Sequence, residues 1–377
     1  MPNPTQTVHV PLADRSYEII ISSGQLSNAA GAIDGWCTRR GVKSGAGRLA
    51  LLVTDENVRD SHARTVHQAL DANGWRCEVV SLPAGEPTKS LEQAAHLWDR
   101  LIDLQADRNT VVIAVGGGVI GDLAGFAAST YARGVSFVQV PTTLLAQVDS
   151  SVGGKVGINH PRAKNMIGAF HQPIGVYIDT VLLDTLPLRE YRAGLAEVIK
   201  YGVILDAPFF DYLENYVAEL NSRTPEVMRE IVARSCQLKA DVVQHDEFER
   251  TGLRAVLNYG HTFAHAFEAL SGYGELLHGE AVAVGMVYAS RLSDRLGRIP
   301  AEMTRRQVDL LKAVGLPTRL PTPQALATES ILGRMQLDKK TVAGKLRFVL
   351  PTRMGHVELV SDVPASEVVA VIDEFRV

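Results

Sequence analysis

The chain has 377 residues, long enough for two domains, and its 46% hydrophobic and 21% charged content is that of an ordinary globular protein. A net charge of −4 gives no electrostatic reason to expect a nucleic acid or an anionic membrane as partner, so any anion site must be a local cluster of basic residues. Cys37, Cys77 and Cys236 are far apart and odd in number, which argues against a disulfide framework and a cysteine zinc site. No apolar run approaches ~20 residues, and residues 1–14 lack a basic-then-apolar signal, so the expectation is a cytoplasmic protein.

In chain order, Tyr17 to Ser22 predicts a strand, Leu49 to Thr54 a second one followed by Asp55, Val58 to Ala72 a helix, Cys77 to Leu82 a strand and Ser90 to Leu104 a helix. Between the last two, the Pro- and Gly-containing loop 83–89 places Glu86 and Lys89 at a strand end. There they could meet a nucleotide, although a solvated loop fits the same residues. The run Val111–Val115 then breaks into Gly116-Gly117-Gly118 and reaches Asp122, and a further run, Val135–Val140, stops at Pro141-Thr142-Thr143. Asp149, Lys155, Asn159, Lys164 and Asn165 follow before the strand Val176–Ile178. Unbroken apolar runs ending in Gly or Pro read as strands of a parallel sheet covered on both faces, and ligands bind at the carboxyl ends of such strands. Residues 111–173 are therefore expected to hold a phosphorylated or polyhydroxylated ligand beside a nucleotide.

The spacing Gly116-x-Gly118-x-x-Gly121 fits half of a dinucleotide fingerprint. The acid expected roughly 20 residues on is missing between Val135 and Val148, and Asp55 is the acid left to hold ribose hydroxyls. On their own the glycines serve equally well as a tight strand-to-helix turn.

After Leu186-Pro187 the pattern turns helical, with helices expected over Leu188–Val203, Pro208–Leu220, Glu226–Gln244, Leu257–Leu270, Gly279–Leu296, Ala301–Val314 and Thr322–Met335. A strand at Leu346–Leu350 and a last helix from about Pro364 complete the chain. The expected architecture is an α/β N-terminal nucleotide-binding domain with a mostly parallel sheet, residues 1–185, and a mainly α-helical C-terminal domain, residues 186–377, with the active site at their boundary. The helical half carries His261 and His265, four apart on one helix face, then His278, and upstream Glu197 and Lys200, three apart in an apolar helix. Two or three imidazoles with one carboxylate are what a catalytic metal needs, and spacing alone pairs His261 with His265.

Taken together, these segments make the chain resemble the 3-dehydroquinate synthases, NAD- and metal-dependent cyclising lyases of the shikimate pathway, which leads to chorismate and the aromatic amino acids. The resemblance rests on Gly116–Asp122, Pro141–Lys155, Lys164–Phe170, Ala196–Lys200, Leu257–Thr262, His278–Ala281 and Asp338–Lys340, in that order. It implies Glu197, His261 and His278 as ligands of a divalent metal, zinc or cobalt, and moves His265 from the metal to the substrate. It implies NAD against Asp55, Glu86, Lys89, Gly116, Gly117, Gly118, Asp122, Thr142, Thr143 and Thr185, with Lys155 and Lys164 close by. The substrate, 3-deoxy-D-arabino-heptulosonate 7-phosphate, would meet Arg133, Asp149, Lys155, Lys164, Asn165, Lys200, Lys239, Arg254, Asn258, His265 and Lys339 or Lys340. A homodimer is implied as well. Such a basic cluster suits a substrate carrying both a phosphate and a carboxylate.

Three departures stand out from the family pattern. The segment Asp246–Gly252 is one residue longer, Ala264 stands where glycine is expected, and so does Ala163. The alanines matter only where the backbone needs φ > 0 or a close approach. Two other activities fit parts of the pattern, a sister sugar phosphate cyclase of secondary metabolism and a metal-dependent polyol dehydrogenase. The dehydrogenase has no phosphate to hold, so Arg133, Lys155, Lys164 and Arg254 would share no task there.

Overall fold

The computed structural model describes residues 5–42, 47–271, 276–320, 326–337 and 346–374. Contacts divide the chain into two compact units, one of Met1–Leu186 with Met228–Phe248, the other of Pro187–Val227 with Glu249–Val377.

The first unit runs β1 (Gln6–Val10), β2 (Tyr17–Ser22), α1 (Ala29–Arg39), β3 (Leu49–Asp55), α2 (Arg64–Ala72), β4 (Arg76–Leu82), α3 (Leu91–Asp103), β5 (Val111–Gly116), α4 (Gly118–Thr130), β6 (Ser136–Pro141), β7 (Lys155–His160), β8 (Ala163–Phe170) and β9 (Gly175–Asp179). Seven strands form one sheet in the order β1-β2-β9-β6-β5-β3-β4. Every pairing in it is parallel except that of the edge strand β1 with β2. The apolar runs are continuous because both faces are buried. Ala50, Leu52, Val111, Ile113 and Val115 pack to one side around Trp36 and Leu70. Leu51, Val53, Val112 and Ala114 pack to the other around Leu97, Leu123 and Phe137. From β3 the chain proceeds to β4 on one side and returns to β5 on the other, so the strand order reverses between β3 and β5. In an open parallel sheet, a crevice for ligands opens at such a reversal, beyond the carboxyl ends of the strands. Asp55 ends β3 and Gly116 ends β5.

Sequence periodicity missed β1 and the antiparallel hairpin of β7 and β8. Nearly every residue of β8 is exposed, so it shows neither an apolar run nor an alternation.

The second stretch of chain forms α5 (Leu188–Leu205), α6 (Ala207–Asn215), α7 (Val217–Ser222), α8 (Pro225–His245), α9 (His261–Ser271), α10 (His278–Arg295), α11 (Ala301–Ala313), α12 (Thr328–Leu337), β10 (Arg347–Arg353), β11 (His356–Ser361) and α13 (Ala365–Glu374). Most of α8 belongs with the sheet unit. The Arg229 guanidinium donates to Ser23 Oγ at 3.0 Å and the Cys236 thiol to the Gln147 carbonyl at 3.2 Å. In the helical unit, Phe263 and Phe267 of α9 pack against Tyr288 of α10 with ring centroids 5.4 and 5.1 Å away. The helix expected from Leu257 starts instead at His261, because residues 253–258 form a 3-10 turn and Gly260, at φ +78°, ends it. The helix expected over Pro208–Leu220 is broken at Tyr216 into α6 and α7. Of the helix expected over Thr322–Met335, residues 321–325 lie outside the described residues, and α12 begins at Thr328. Neither Ala163 nor Ala264 takes a positive φ. That conformation falls on Asn165, at φ +55°, so neither alanine is strained through its φ.

Candidate functional site

At the end of β5 the backbone turns through Gly116-Gly117-Gly118 straight into α4, leaving the first amides of that helix at the sheet's carboxyl edge. The neighbouring strand end is tied in by Thr142, whose N–H donates to the Gly116 carbonyl at 3.0 Å. The third glycine of the fingerprint has a packing role. A Cβ on Gly121 would stand 2.7 Å from Gln139 Oε1, so any larger residue there would require the Gln139 side chain to move off α4.

Around this turn a polar network gathers residues far apart in sequence. Lys89 Nζ, with a side chain only 5% exposed, donates to Asp122 Oδ2 at 2.7 Å and Asn165 Oδ1 at 2.5 Å, and lies 4.0 Å from Glu86. Asn159 completes the group. Its side-chain amide donates to Glu86 Oε1 at 2.7 Å, and its Oδ1 accepts the Asn165 N–H at 2.9 Å. The left-handed backbone of Asn165 turns that N–H toward Asn159. Burial pushes the Asp122 carboxyl up from its ordinary pKa against the opposing pull of Lys89, and burial likewise raises Asp55 against the N–H groups of Asn57 and Val58. Thr185 Oγ1 donates to the Leu182 carbonyl at 2.9 Å and so accepts from His62 Nε2, also at 2.9 Å. Sequence reasoning assigned no part to His62 or Asn159. Asn159 did stand in the polar string of that region, and no sequence signal marked His62.

Of the residues assigned to substrate, six lie in the sheet unit. Lys239 of α8 is buried and donates to both the carbonyl and Oδ1 of Asp149 at 2.7 Å. Lys155 opens β7 and Lys164 lies on β8, both exposed. Arg133, at φ +67°, closes the turn after α4, and Asn165 belongs to the Lys89 network. In the helical unit Arg254 is buried 3.7 Å from Glu249, Asn258 is half-buried, and His265 is exposed. Lys339 and Lys340 lie outside the described residues.

The metal candidates come from three helices. Glu197 of α5 is fully buried, 0% exposed, and Lys200, one turn on, forms an ion pair with it. Apart from that pair, neither Glu197 oxygen has a hydrogen-bonding partner among the described residues. Its Oε1 faces His261 Nε2 at 3.7 Å and His278 Nε2 at 3.8 Å. These three residues each offer a ligand atom within 4.8 Å of the others. A carboxylate so enclosed is costly to bury unless cations lie against it; Lys200 supplies one on Oε2, and Oε1 is left facing the two imidazoles. The imidazoles are set to help. The Tyr259 carbonyl can only accept, so the His261 Nδ1 at 3.1 Å carries the proton. The Glu268 carboxylate, 3.4 Å from His278 Nδ1, imposes the same tautomer there. Both Nε2 lone pairs are then left for a metal, and the group fits a divalent ion with N/O ligands. The pairing of His261 with His265 that spacing suggested is not what the helix builds. Their rings meet edge to face with centroids 5.5 Å apart, and His265 stands outside the cluster.

The α10 terminus is held down for this purpose. Glu280 Oε2 accepts the Leu277 N–H at 2.9 Å, and both Glu280 oxygens accept from Arg189 of α5 at 2.7 Å. Gly279 lets the two helices meet, since a Cβ there would fall 1.9 Å from the Ala193 carbonyl oxygen. His278 is thus held against the helix that carries Glu197. Cys37, Cys77 and Cys236 are free thiols.

A parallel-sheet unit with a glycine turn at its switch point, joined to a helical unit bearing a Glu-His-His cluster, defines the class of enzymes that pair a dinucleotide-type fold with a divalent metal centre. Residues 79–193 match the family description "3-dehydroquinate synthase N-terminal" and residues 194–341 "3-dehydroquinate synthase C-terminal". A 3-dehydroquinate synthase from Desulforamulus reducens is 50% identical over 98% of this chain and 99% of its own length. The chain belongs to the 3-dehydroquinate synthase family. Among solved structures, a 2-deoxy-scyllo-inosose synthase complexed with carbaglucose-6-phosphate, NAD+ and Co2+ superposes with a TM-score of 0.86 at 26% identity, covering 98% of this chain and 100% of that one. A 2-epi-5-epi-valiolone synthase from Streptomyces hygroscopicus with NAD+ and Zn2+ bound gives 0.85 at 28%, covering 97% and 98%.

Proposed function

We infer that the chain is a 3-dehydroquinate synthase, an NAD- and metal-dependent phosphorus-oxygen lyase. It converts 3-deoxy-D-arabino-heptulosonate 7-phosphate into 3-dehydroquinate and inorganic phosphate in the shikimate pathway. The observation that carries this reading is the 50% identity over 98% of the chain to a synthase of this name, against 26–28% to cyclases that make other rings. When bound, NAD would supply a reversible hydride acceptor, and a metal held by Glu197, His261 and His278 would supply a Lewis acid for the substrate's oxygens.

The chain's own residues supply the rest. Glu197, His261 and His278 hold the metal, and the buried Lys200 pairs with Glu197. We assign the turn at Gly116–Gly118, with Asp55, Asp122 and Lys89, to NAD, the glycine amides taking its pyrophosphate. Lys155, Lys164, Arg133, Lys239 and Arg254 hold the substrate's phosphate and carboxylate, and phosphate leaves by elimination beside the oxidised carbon. Asp149 fixes the ammonium of Lys239 through two contacts, so that charge is in place before substrate arrives. We also take the protein to be a cytoplasmic homodimer. No described helix is long and apolar enough to cross a membrane.

One assay tests the reaction, following phosphate release and the absorbance of NADH together with 3-deoxy-D-arabino-heptulosonate 7-phosphate and catalytic NAD. Phosphate should appear mole for mole with substrate consumed, with little NADH, because the hydride is returned within each turnover. NADH rising in step with substrate loss and no phosphate would instead mean a polyol dehydrogenase. Lys155→Ala should cut kcat/KM severely, each lost charge-assisted contact being worth on the order of 1.5–3 kcal/mol.

A further inference from the structure

The α9 helix presents two different faces. Phe263 and Phe267 go into the core, while His261, His265 and Glu268, at positions i, i+4 and i+7, form a polar stripe on another side. The first two members of that stripe have assigned tasks and the third has none. Glu268 is not one of the clustered ligands. Its carboxylate instead meets the far nitrogen of one of them, His278 Nδ1, at 3.4 Å, with a side chain only 12% exposed.

We propose that Glu268 is a positioning residue that orients His278 for the metal, an assignment that rests on reading Glu197, His261 and His278 as the ligands. His278 needs such a partner more than the others. It is the first residue of α10 and its side chain is 36% exposed, whereas the Glu197 and His261 side chains are 0% and 11% exposed. An imidazole at a helix start can turn about its side-chain torsions and present either nitrogen. An acceptor on Nδ1 fixes both the tautomer and the ring plane, leaving the Nε2 lone pair toward Glu197. His261 obtains the same service from a backbone carbonyl, which no substitution can remove. For His278 the service comes from a side chain and is open to test.

The test is metal affinity of the full-length protein, measured by competition between the metal-free chain and a chelating dye for Zn2+, with thermal unfolding of each metal-free variant alongside. Glu268→Ala should bind Zn2+ about 10–100-fold more weakly, at an unchanged metal-free unfolding temperature. Glu268→Asp, which keeps the charge but withdraws it from Nδ1, should weaken binding in the same direction. Glu268→Gln, whose amide oxygen still accepts, should restore most of the affinity. Zn2+ binding by both Glu268→Ala and Glu268→Asp within threefold of the parent would overturn the proposal, and so would a Gln variant no better than the Ala one. If the Ala variant fails to fold, the Asp and Gln variants decide alone. His278→Ala is measured in parallel. Full affinity in that variant would defeat the ligand assignment itself, whereas loss there with none at Glu268 would defeat only the positioning role.

Discussion

The two units are built to hold polar ligands in different ways. In the sheet unit the candidate contacts lie where the main chain ends a strand. Asp55 closes β3, Gly116 closes β5 and Thr142 follows β6, and an apolar core on both faces of the sheet fixes those positions. The ligand side of this unit costs little to keep ready, because its charges pair with one another, as Lys89 does with Asp122 and Lys239 with Asp149. In the helical unit the candidate contacts are side chains brought from α5, α9 and α10, and a fully buried carboxylate stands among them with little hydrogen bonding. Lys200 offsets part of that carboxylate's charge, and a divalent ion held by the set would offset the rest. The first unit is therefore expected to tolerate loss of its ligand, and the second to lean on its metal.

The largest effect should come from breaking the ligand set. His278→Ala should lose the metal in elemental analysis and essentially all turnover with it, while His265→Ala should keep the metal and lose rate. The reverse pattern, with metal lost from the His265 variant and retained by the His278 variant, would show that helix spacing and not the cluster chooses the ligands. A smaller but still large effect should follow at Gly279. A methyl group there cannot coexist with a carbonyl oxygen 1.9 Å away, so α10 must move off α5. Gly279→Ala should cost on the order of 3 kcal/mol in denaturant unfolding and weaken Zn2+ binding by carrying His278 away from Glu197. Unchanged metal affinity in a destabilised Gly279→Ala protein would separate the helix contact from the site.

The same contrast decides how much could be read from the sequence. The sheet unit announces itself because a strand buried on both faces must be apolar at every position, and Val111–Val115 is. Its glycine turn and the polar residues after it fall at strand ends by the same logic. What escaped there is the β7–β8 hairpin, since β8 carries Lys164 and Asn165 on an exposed ribbon with no periodic signal. In the helical unit the helices were legible and the constellation was not. Helical spacing offered His261 with His265, whereas the cluster joins residues 64 and 17 positions apart on separate helices, and only packing brings them together. The resemblance supplied that set because it carries information on packing that spacing lacks. Glu268 lay in plain view three residues after His265. It drew no attention because an acid on a helix is ordinarily a solvated one.

The smallest effect concerns the sheet unit's own response to acid, and it sharpens the claim that this unit stands independently of the metal. His62 and His171 are pushed below the ordinary imidazole pKa, in both cases chiefly by burial, and each accepts a different compensation. Asp179 pulls His62 back up, and the Val135 carbonyl, accepting from Nε2 at 3.0 Å, does so for His171. A histidine whose folded pKa is depressed binds its proton more readily in the unfolded chain. The stability it contributes is complete above the unfolded value of about 6.5 and is lost as the pH falls through that value toward the folded one. In metal-free protein, unfolding free energy should therefore decline between pH 7 and pH 5 with a slope of up to about 1.4 kcal/mol per pH unit for each such histidine. His62→Gln, neutral throughout and with an amide nitrogen near the place of Nε2 from which to donate toward Thr185, should show a shallower decline than the parent over that interval. An identical slope in the variant would mean that His62 titrates alike in both states, and that the acid response of this unit arises elsewhere.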